Sequence, residues 1–174
     1  SKALEYFEEV LKIRLSVYGE NHSRVASVYN DIGEIYSVQG DDFKALDYFK
    51  KSLKIVLSVY GENHSQVSSI YDHIGEVYFA QKDYSKALYY FEESLKIRLS
   101  LFGENHPEVA LSYYSIGSLY IIQGDKSKAL NYYEKSLKIR LSVYGENHPL
   151  TKEIMDLINV AANSKVLQSP ETTK

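Results

Sequence analysis

The stretch GENHSRVASVYNDIGEIYSVQGDDFKALDYFKKSLKIVLSVY, residues 19–60, decides the architecture because it comes back. Residues 61–102 repeat it with 25 identities in 42 positions, and residues 103–144 follow the same pattern. The segment GENH opens at Gly19, Gly61, Gly103 and Gly145, always 42 residues apart. Self-similarity at a fixed period overrides the single-domain reading that length suggests, and each unit then depends chiefly on its neighbours. Residues 1–18 form a half unit, since Ser1-Lys2-Ala3-Leu4 matches Ser85-Lys86-Ala87-Leu88 and Ser127-Lys128-Ala129-Leu130. Residues 145–166 form a second, diverged half unit. The array therefore covers 1–166, and residues 167–174 are read as a disordered tail.

Within a unit the apolar residues follow the helical period. Val25, Val28, Tyr29, Ile32, Ile35 and Tyr36 recur at spacings of three and four, which predicts a helix over about 22–39. Asn21 or His22 can cap its start, because a short polar side chain accepts the free N–H groups there. Pro107 and Pro149 stand where a first-turn proline belongs. Gln39-Gly40-Asp41 reads as a glycine stop followed by the cap of the next helix. That second helix is predicted over about 43–59, with Ala45, Leu46, Phe49, Leu53, Val56 and Leu57 on its apolar stripe. Alternating strand patterns are missing, so the chain reads as all-α.

Composition narrows the function classes. Of 174 residues, 44% are hydrophobic and 25% charged, which fits a folded chain. Apolar runs reach only about five residues, against the roughly 20 of a spanning helix. There is no cysteine, so neither a disulfide framework nor a cysteine zinc site can form. A formal net charge of −3 argues against nucleic acid, whose partners carry basic patches. The opening SKALEYFEEV lacks the pattern of a signal peptide. A cytoplasmic location is the expectation.

Tyr29-x-x-Ile32-Gly33-x-x-Tyr36 followed by Ala45-x-x-x-Phe49 resembles the tetratricopeptide repeat signature, with Tyr at its Trp position. The pattern recurs at Tyr71, Ile74, Gly75, Tyr78, Ala87 and Phe91, and at Tyr113, Ile116, Gly117, Tyr120, Ala129 and Tyr133. The unit is longer than the usual 34 residues and ends in Gly-Glu-Asn-His, which is similar to the repeats of kinesin light chain and nephrocystin-type proteins. The resemblance implies a right-handed α-solenoid of antiparallel helix pairs. It departs at the C-terminal half unit, where Asn159 and Ala162 replace the Gly and the last Tyr. Independently of the family, Gly33, Gly75 and Gly117 each carry a helix-propensity cost of about 1 kcal/mol relative to Ala. Such glycines predict close helix–helix approach, with Ala45, Ala87 and Ala129 expected opposite them.

Candidate chemistry is thin. His22, His64, His106 and His148 form a ladder that reads as helix starts, because their neighbours offer no further metal ligands. Glu8–Lys12, Glu92–Lys96 and Glu134–Lys138 are i,i+4 pairs on an outer face. No nucleophile–base set and no phosphate-binding loop is present, so no enzyme activity, metal or cofactor is expected. Tetratricopeptide arrays bind peptides in a groove lined by first helices. Carried onto this chain, that groove holds Asn30, Asp31 and Glu34, then Asp72, His73 and Glu76, then Tyr114, Ser115 and Ser118. Ser27, Ser69, Leu111 and Ile121 are further groove positions. None is Lys or Arg, which argues against the carboxylate clamp that some family members carry. The acidic-to-apolar gradient, from Asp31 toward Leu111 and Ile121, fits a protein or peptide partner with basic residues at one end. The expected function is a protein-interaction scaffold. The alternatives are a self-assembling structural array, with weak head-to-tail stacking through Leu4, Phe7, Leu11 and Leu15, or a regulatory segment of a larger signalling protein.

Overall fold

The computed structural model describes residues 2–163; the predicted tail 167–174 and the last residues of the diverged half unit lie outside them. Eight helices run in order among the described residues: α1 (Lys2–Tyr18), α2 (Ser23–Val38), α3 (Asp42–Tyr60), α4 (Ser65–Ala80), α5 (Tyr84–Phe102), α6 (Pro107–Ile122), α7 (Lys126–Tyr144) and α8 (Pro149–Asn163). The first full unit, α2 and α3, ends within a residue of its predicted bounds. Packing joins α2 to α3, α4 to α5 and α6 to α7 as pairs, and each second helix then meets the first helix of the next unit. The result is an all-α solenoid.

Each first helix starts on a histidine. His22, His64, His106 and His148 accept, through Nδ1, the backbone N–H two residues ahead at 3.1–3.2 Å. The same four rings lie against Tyr18, Tyr60, Phe102 and Tyr144, with centroids 4.2–4.7 Å apart. The ladder is therefore both cap and packing plate. Each second helix starts on Asp41, Asp83 or Asp125, whose carboxylate accepts from the N–H of Lys44, Lys86 or Lys128. The same lysines return an ammonium to that carboxylate and lie 4.8–5.0 Å from the centroids of Tyr36, Tyr78 and Tyr120. Bonding to Lys44 and Lys86 holds the carboxyls of Asp41 and Asp83 below their usual range. Second helices end on Gly61, Gly103 and Gly145, at φ 76–79° and ψ near 180°. Only glycine visits that region freely, which is why each unit break is written with one.

The helix pairs close on an aromatic ring. A Cβ added at Gly33 would meet Phe49 Cε1 at 2.6 Å, at Gly75 would meet Phe91 Cε1 at 2.7 Å, and at Gly117 would meet Tyr133 Cδ1 at 2.7 Å. The atoms nearest these positions belong to the ring four residues beyond Ala45, Ala87 and Ala129, and at Gly117 the Ala129 carbonyl also lies 3.3 Å from the Cβ position. The alanines are still fully buried, because a larger side chain there would displace the partner helix. Buried hydroxyls add a second tie within the pairs: Ser52 donates to the Ala26 carbonyl and Ser136 to the Ala110 carbonyl, both at 2.8 Å.

Leu4, Phe7, Leu11 and Leu15 pack inward against the first core together with Val10. The exposed large hydrophobic side chains of α1 are Tyr6, Ile13, Val17 and Tyr18. A stripe read off a helix wheel marks the apolar face but does not say which neighbour covers it.

Two stability outcomes follow from this geometry. Gly75→Leu forces a side chain into the Phe91 ring, and overpacking of that kind costs about 1–3 kcal/mol, occasionally more. Scanning calorimetry should show a melting temperature lower by about 5 °C or more. A shift of a degree or less would refute the close-contact account. The stop glycines Gly40 and Gly124 have φ +75° and +81°, yet unit two places Lys82 there at φ 62°. A left-handed L-residue carries a penalty of about 1–2 kcal/mol, partly offset by glycine's extra chain entropy of about 0.5–1 kcal/mol. Lys82→Gly should therefore raise stability in urea unfolding, whereas Gly40→Lys should lower it.

Candidate peptide-binding groove

The predicted groove residues separate into two groups. Asn30, Asp31, Glu34, Asp72, His73 and Glu76 gather between α2 and α4, which touch directly. Asn30 Nδ2 donates to Glu34 Oε1 at 2.5 Å, and its Oδ1 lies 3.1 Å from His73 Nδ1. His73 Nε2 lies 3.6 Å from Glu34 Oε1, an ion pair when the ring is protonated. The imidazole rests against Phe49, with centroids 5.2 Å apart. His73 thus links one unit to the next, a role its single occurrence in the sequence did not suggest.

The acids of this group differ in their surroundings. Burial raises the Asp31 carboxyl above its ordinary value; the nearby Glu34 charge adds to this and Arg14 opposes it. Desolvation likewise raises Glu76, with Asp72 and Glu34 adding and His73 opposing. Asp72 is a different case. Arg98, only 4% exposed, places Nη2 2.7 Å from Asp72 Oδ2 and 2.9 Å from Glu108 Oε2, while Nη1 donates to Ser112 Oγ at 2.8 Å. Burial still raises the Asp72 carboxyl, against the pull of Arg98. Its charge is matched from α5, so Asp72 contributes less to the groove's field than the sequence suggested. Asp31, Glu34 and Glu76 make no ion pair with Lys or Arg among the described residues.

Tyr114 and Ser118 form the second group, on α6. Tyr114 donates to Glu153 Oε1 at 3.1 Å, and the Arg140 guanidinium lies 5.0 Å from its ring centroid. Ser118 accepts from the Tyr133 hydroxyl at 3.1 Å. Ser115 is half-buried on the same helix, and Leu111 and Ile121 are exposed beside it.

Sequence reasoning missed the arginines that reach this face from second helices. Their signal was available: Lys-Ile-Arg-Leu-Ser stands at 12–16, 96–100 and 138–142. Arg14 Nη1 donates to the Arg24 carbonyl and Arg140 Nη1 to the Leu150 carbonyl, both at 2.6 Å. Unit one alone reads Lys-Ile-Val-Leu-Ser, at 54–58. Next to Val56 lies a cavity of ≈ 130 Å³ bordered by Asn30, Asp31, Gln66, Ser69 and Ile70. Among the described residues no three His, Cys, Asp or Glu side chains are placed to hold a metal ion, and no helix is long and apolar enough to cross a membrane.

These features define a repeat array with a solvent-facing first-helix surface, and the comparisons place it in a family. The tetratricopeptide repeat model matches residues 1–55, 24–100 and 66–142, so the chain belongs to the tetratricopeptide repeat family. Among solved structures it is similar to BtubC (BKLC) from P. vanneervenii, with TM-score 0.75 and 28% identity over 85% of this chain. It spans 59% of that protein's length. A putative kinesin light chain from Podosopora anserina with nearly identical TPR-like repeats superposes with TM-score 0.76 at 17% identity, covering 92% of this chain and 76% of the other. The N-terminal domain of stress-induced protein-1 from C. elegans gives TM-score 0.60 at 18% identity, over 80% and 96% of the two chains. No curated protein matches the sequence. Tetratricopeptide repeats are generally protein–protein interaction modules, and the fold is typically a non-catalytic scaffold.

The Arg98 cluster makes a direct prediction. Removing one partner of a buried ion pair leaves an uncompensated charge and costs about 3–5 kcal/mol. Arg98→Ala should therefore destabilise the junction of units two and three, and adding Asp72→Asn should recover part of the loss. Additive effects in urea unfolding would show that the two groups do not interact.

Proposed function

We propose that the chain is a protein-interaction module that takes a basic peptide along its first-helix face. The cationic end of the peptide lies over Asp31, Glu34 and Glu76, and an apolar end runs toward Leu111, Tyr114 and Ile121. The observation that carries this reading is the unmatched acid cluster on α2 and α4, set beside Asp72, whose charge Arg98 already meets. Family membership supports the choice of a binding module over a catalyst. Three exposed or half-buried carboxylates in one place raise the local concentration of cations and favour wrong-charge exclusion more than raw affinity.

A peptide panel read by fluorescence anisotropy tests this. Basic peptides should bind more tightly than acidic ones, and the preference should shrink as salt rises, since charges are screened over about 10 Å at 0.1 M. Asp31→Asn with Glu34→Gln and Glu76→Gln should weaken binding about tenfold or more, equivalent to about 1.4 kcal/mol. The pH dependence has a definite sign. Asp31 and Glu76 have carboxyls raised above 3.8 and 4.5, so they lose charge earlier on acidification than ordinary carboxylates. Affinity should hold at neutral pH and fall as pH drops toward those values from above. Tighter binding of acidic peptides would reverse the reading.

A further inference from the structure

Three second helices carry an arginine at one register, Arg14, Arg98 and Arg140, and α3 carries Val56 there instead. Around Arg98 stand Asp72, Glu108 and Ser112, all in contact with its guanidinium. The residues at the same three registers around Val56 are Asn30, Gln66 and Ile70, and around Arg140 they are Tyr114, Leu150 and Ile154, so the acid pair belongs to the Arg98 junction alone. Beside Val56, where the arginine is missing, lies the ≈ 130 Å³ cavity. A water needs only about 10–15 Å³ of such space, so the cavity has room for more than one solvent molecule.

The walls specify what can enter. Their hydroxyls are already used, since Ser27, Ser52 and Ser69 donate to the carbonyls of Ser23, Ala26 and Ser65, and Asn30 Nδ2 spends one N–H on Glu34. Asn30 Oδ1 is engaged with His73. Acceptors remain. Gln66 Oε1 is buried with no hydrogen-bond partner, and the half-buried Asp31 carboxylate borders the same cavity. Val56 and Ile70, both nearly fully buried, supply an apolar wall for an alkyl stem. Ser69 is exposed at the rim, so the cavity communicates with the groove. The chain's own nearest arginine, Arg14, is held by the Arg24 carbonyl and affects Asp31 only through its charge.

We infer that this cavity is a receptor for one arginine side chain of the partner, which takes the place that Arg98 fills in the next unit. The inference rests on the groove reading above and narrows it to a residue. A guanidinium brings five N–H donors and no acceptor, and the walls offer it the Gln66 Oε1 and Asp31 carboxylate oxygens as acceptors. Its planar fork can reach two separate acceptors at once, which a lysine ammonium does less well.

The test uses N-acetyl-arginine methylamide as the probe, with the lysine and citrulline analogues as controls, titrated into the labelled protein and followed by amide chemical shifts. The arginine probe should move the signals of Asn30, Gln66 and Ser69, the lysine analogue should bind several-fold more weakly, and the neutral citrulline analogue should leave them in place. Val56→Arg combined with Asn30→Asp and Gln66→Glu rebuilds the Arg98 set and fills the cavity from within. That variant should keep its helical spectrum and bind the probe at least tenfold more weakly. Val56→Met fills the space without adding charge and should also weaken the probe several-fold. Equal binding of arginine and citrulline analogues, shifts outside the cavity, or unchanged binding by a folded, filled variant would each overturn the inference. The groove reading fails separately. If basic peptides bind through arginine and lysine alike and ignore both fillings, the groove stands and the receptor falls. If basic peptides do not bind but the probe still titrates onto Gln66, the receptor stands and the groove falls.

Discussion

One contact sets the rest of the array: an aromatic ring lying where a Cβ would be. With Phe49, Phe91 and Tyr133 within 2.6–2.7 Å of the Cβ positions of Gly33, Gly75 and Gly117, the two helices of each pair approach as closely as backbone and ring permit. That approach fixes the pair's geometry, and the geometry fixes where the next first helix lands. A glycine inside a helix is unfavourable by itself, by about 1 kcal/mol. It is tolerated because a buried aromatic side chain contributes more, about 1.5–3 kcal/mol for a residue of Phe size. The same trade, made three times in register, turns a local packing choice into a long-range period.

The fold was legible in the sequence because a repeat states each position several times. Helix existence, helix bounds and the closeness at Gly33, Gly75 and Gly117 all come from periodicity, which averages out the noise of a single copy. What periodicity could not supply is the reach of long side chains between units. Arg98 sits on α5, yet its contacts are Asp72 on α4 and Glu108 and Ser112 on α6. A helical wheel drawn for any one helix misses this triangle. The same limit explains why the approach of the Phe49 ring to Gly33 was not read from the sequence. The candidate groove was legible only as a set of positions. Which acids are already matched had to be read from the side chains around them.

The Gly-Glu-Asn-His segment shows how a chemically suggestive motif resolves into structure. Its glycine occupies a backbone region closed to other residues, and its histidine uses Nδ1 to close the following helix. With Nδ1 engaged as an acceptor and the ring face covered by Tyr60, His64 has only one nitrogen left to offer. A metal bridge along the ladder would need that nitrogen from successive units plus ligands that the neighbouring residues do not provide. Recurrence of a reactive residue type in a repeat is therefore evidence about the repeat first, because every copy must solve the same helix-start problem.

Departures from the repeat carry the opposite kind of information. Where all units face the same packing problem they carry the same residue, so a change confined to one unit must be explained by something only that unit meets. Val56 is such a change, the one non-arginine at its register, and it borders a space shared with Asn30, Gln66 and Ile70. With Asn30 and Gln66 at the registers that Asp72 and Glu108 occupy around Arg98, the wall holds no pair of acids that needs an internal cation, and it keeps acceptor oxygens. A purely structural repair had an easier route, since a larger apolar side chain at 56 would close the void and avoid a cavity penalty. The site instead keeps its volume, an unpartnered Gln66 oxygen and a carboxylate at its border. Polar atoms retained around this open space are the groups that the inferred partner arginine would meet.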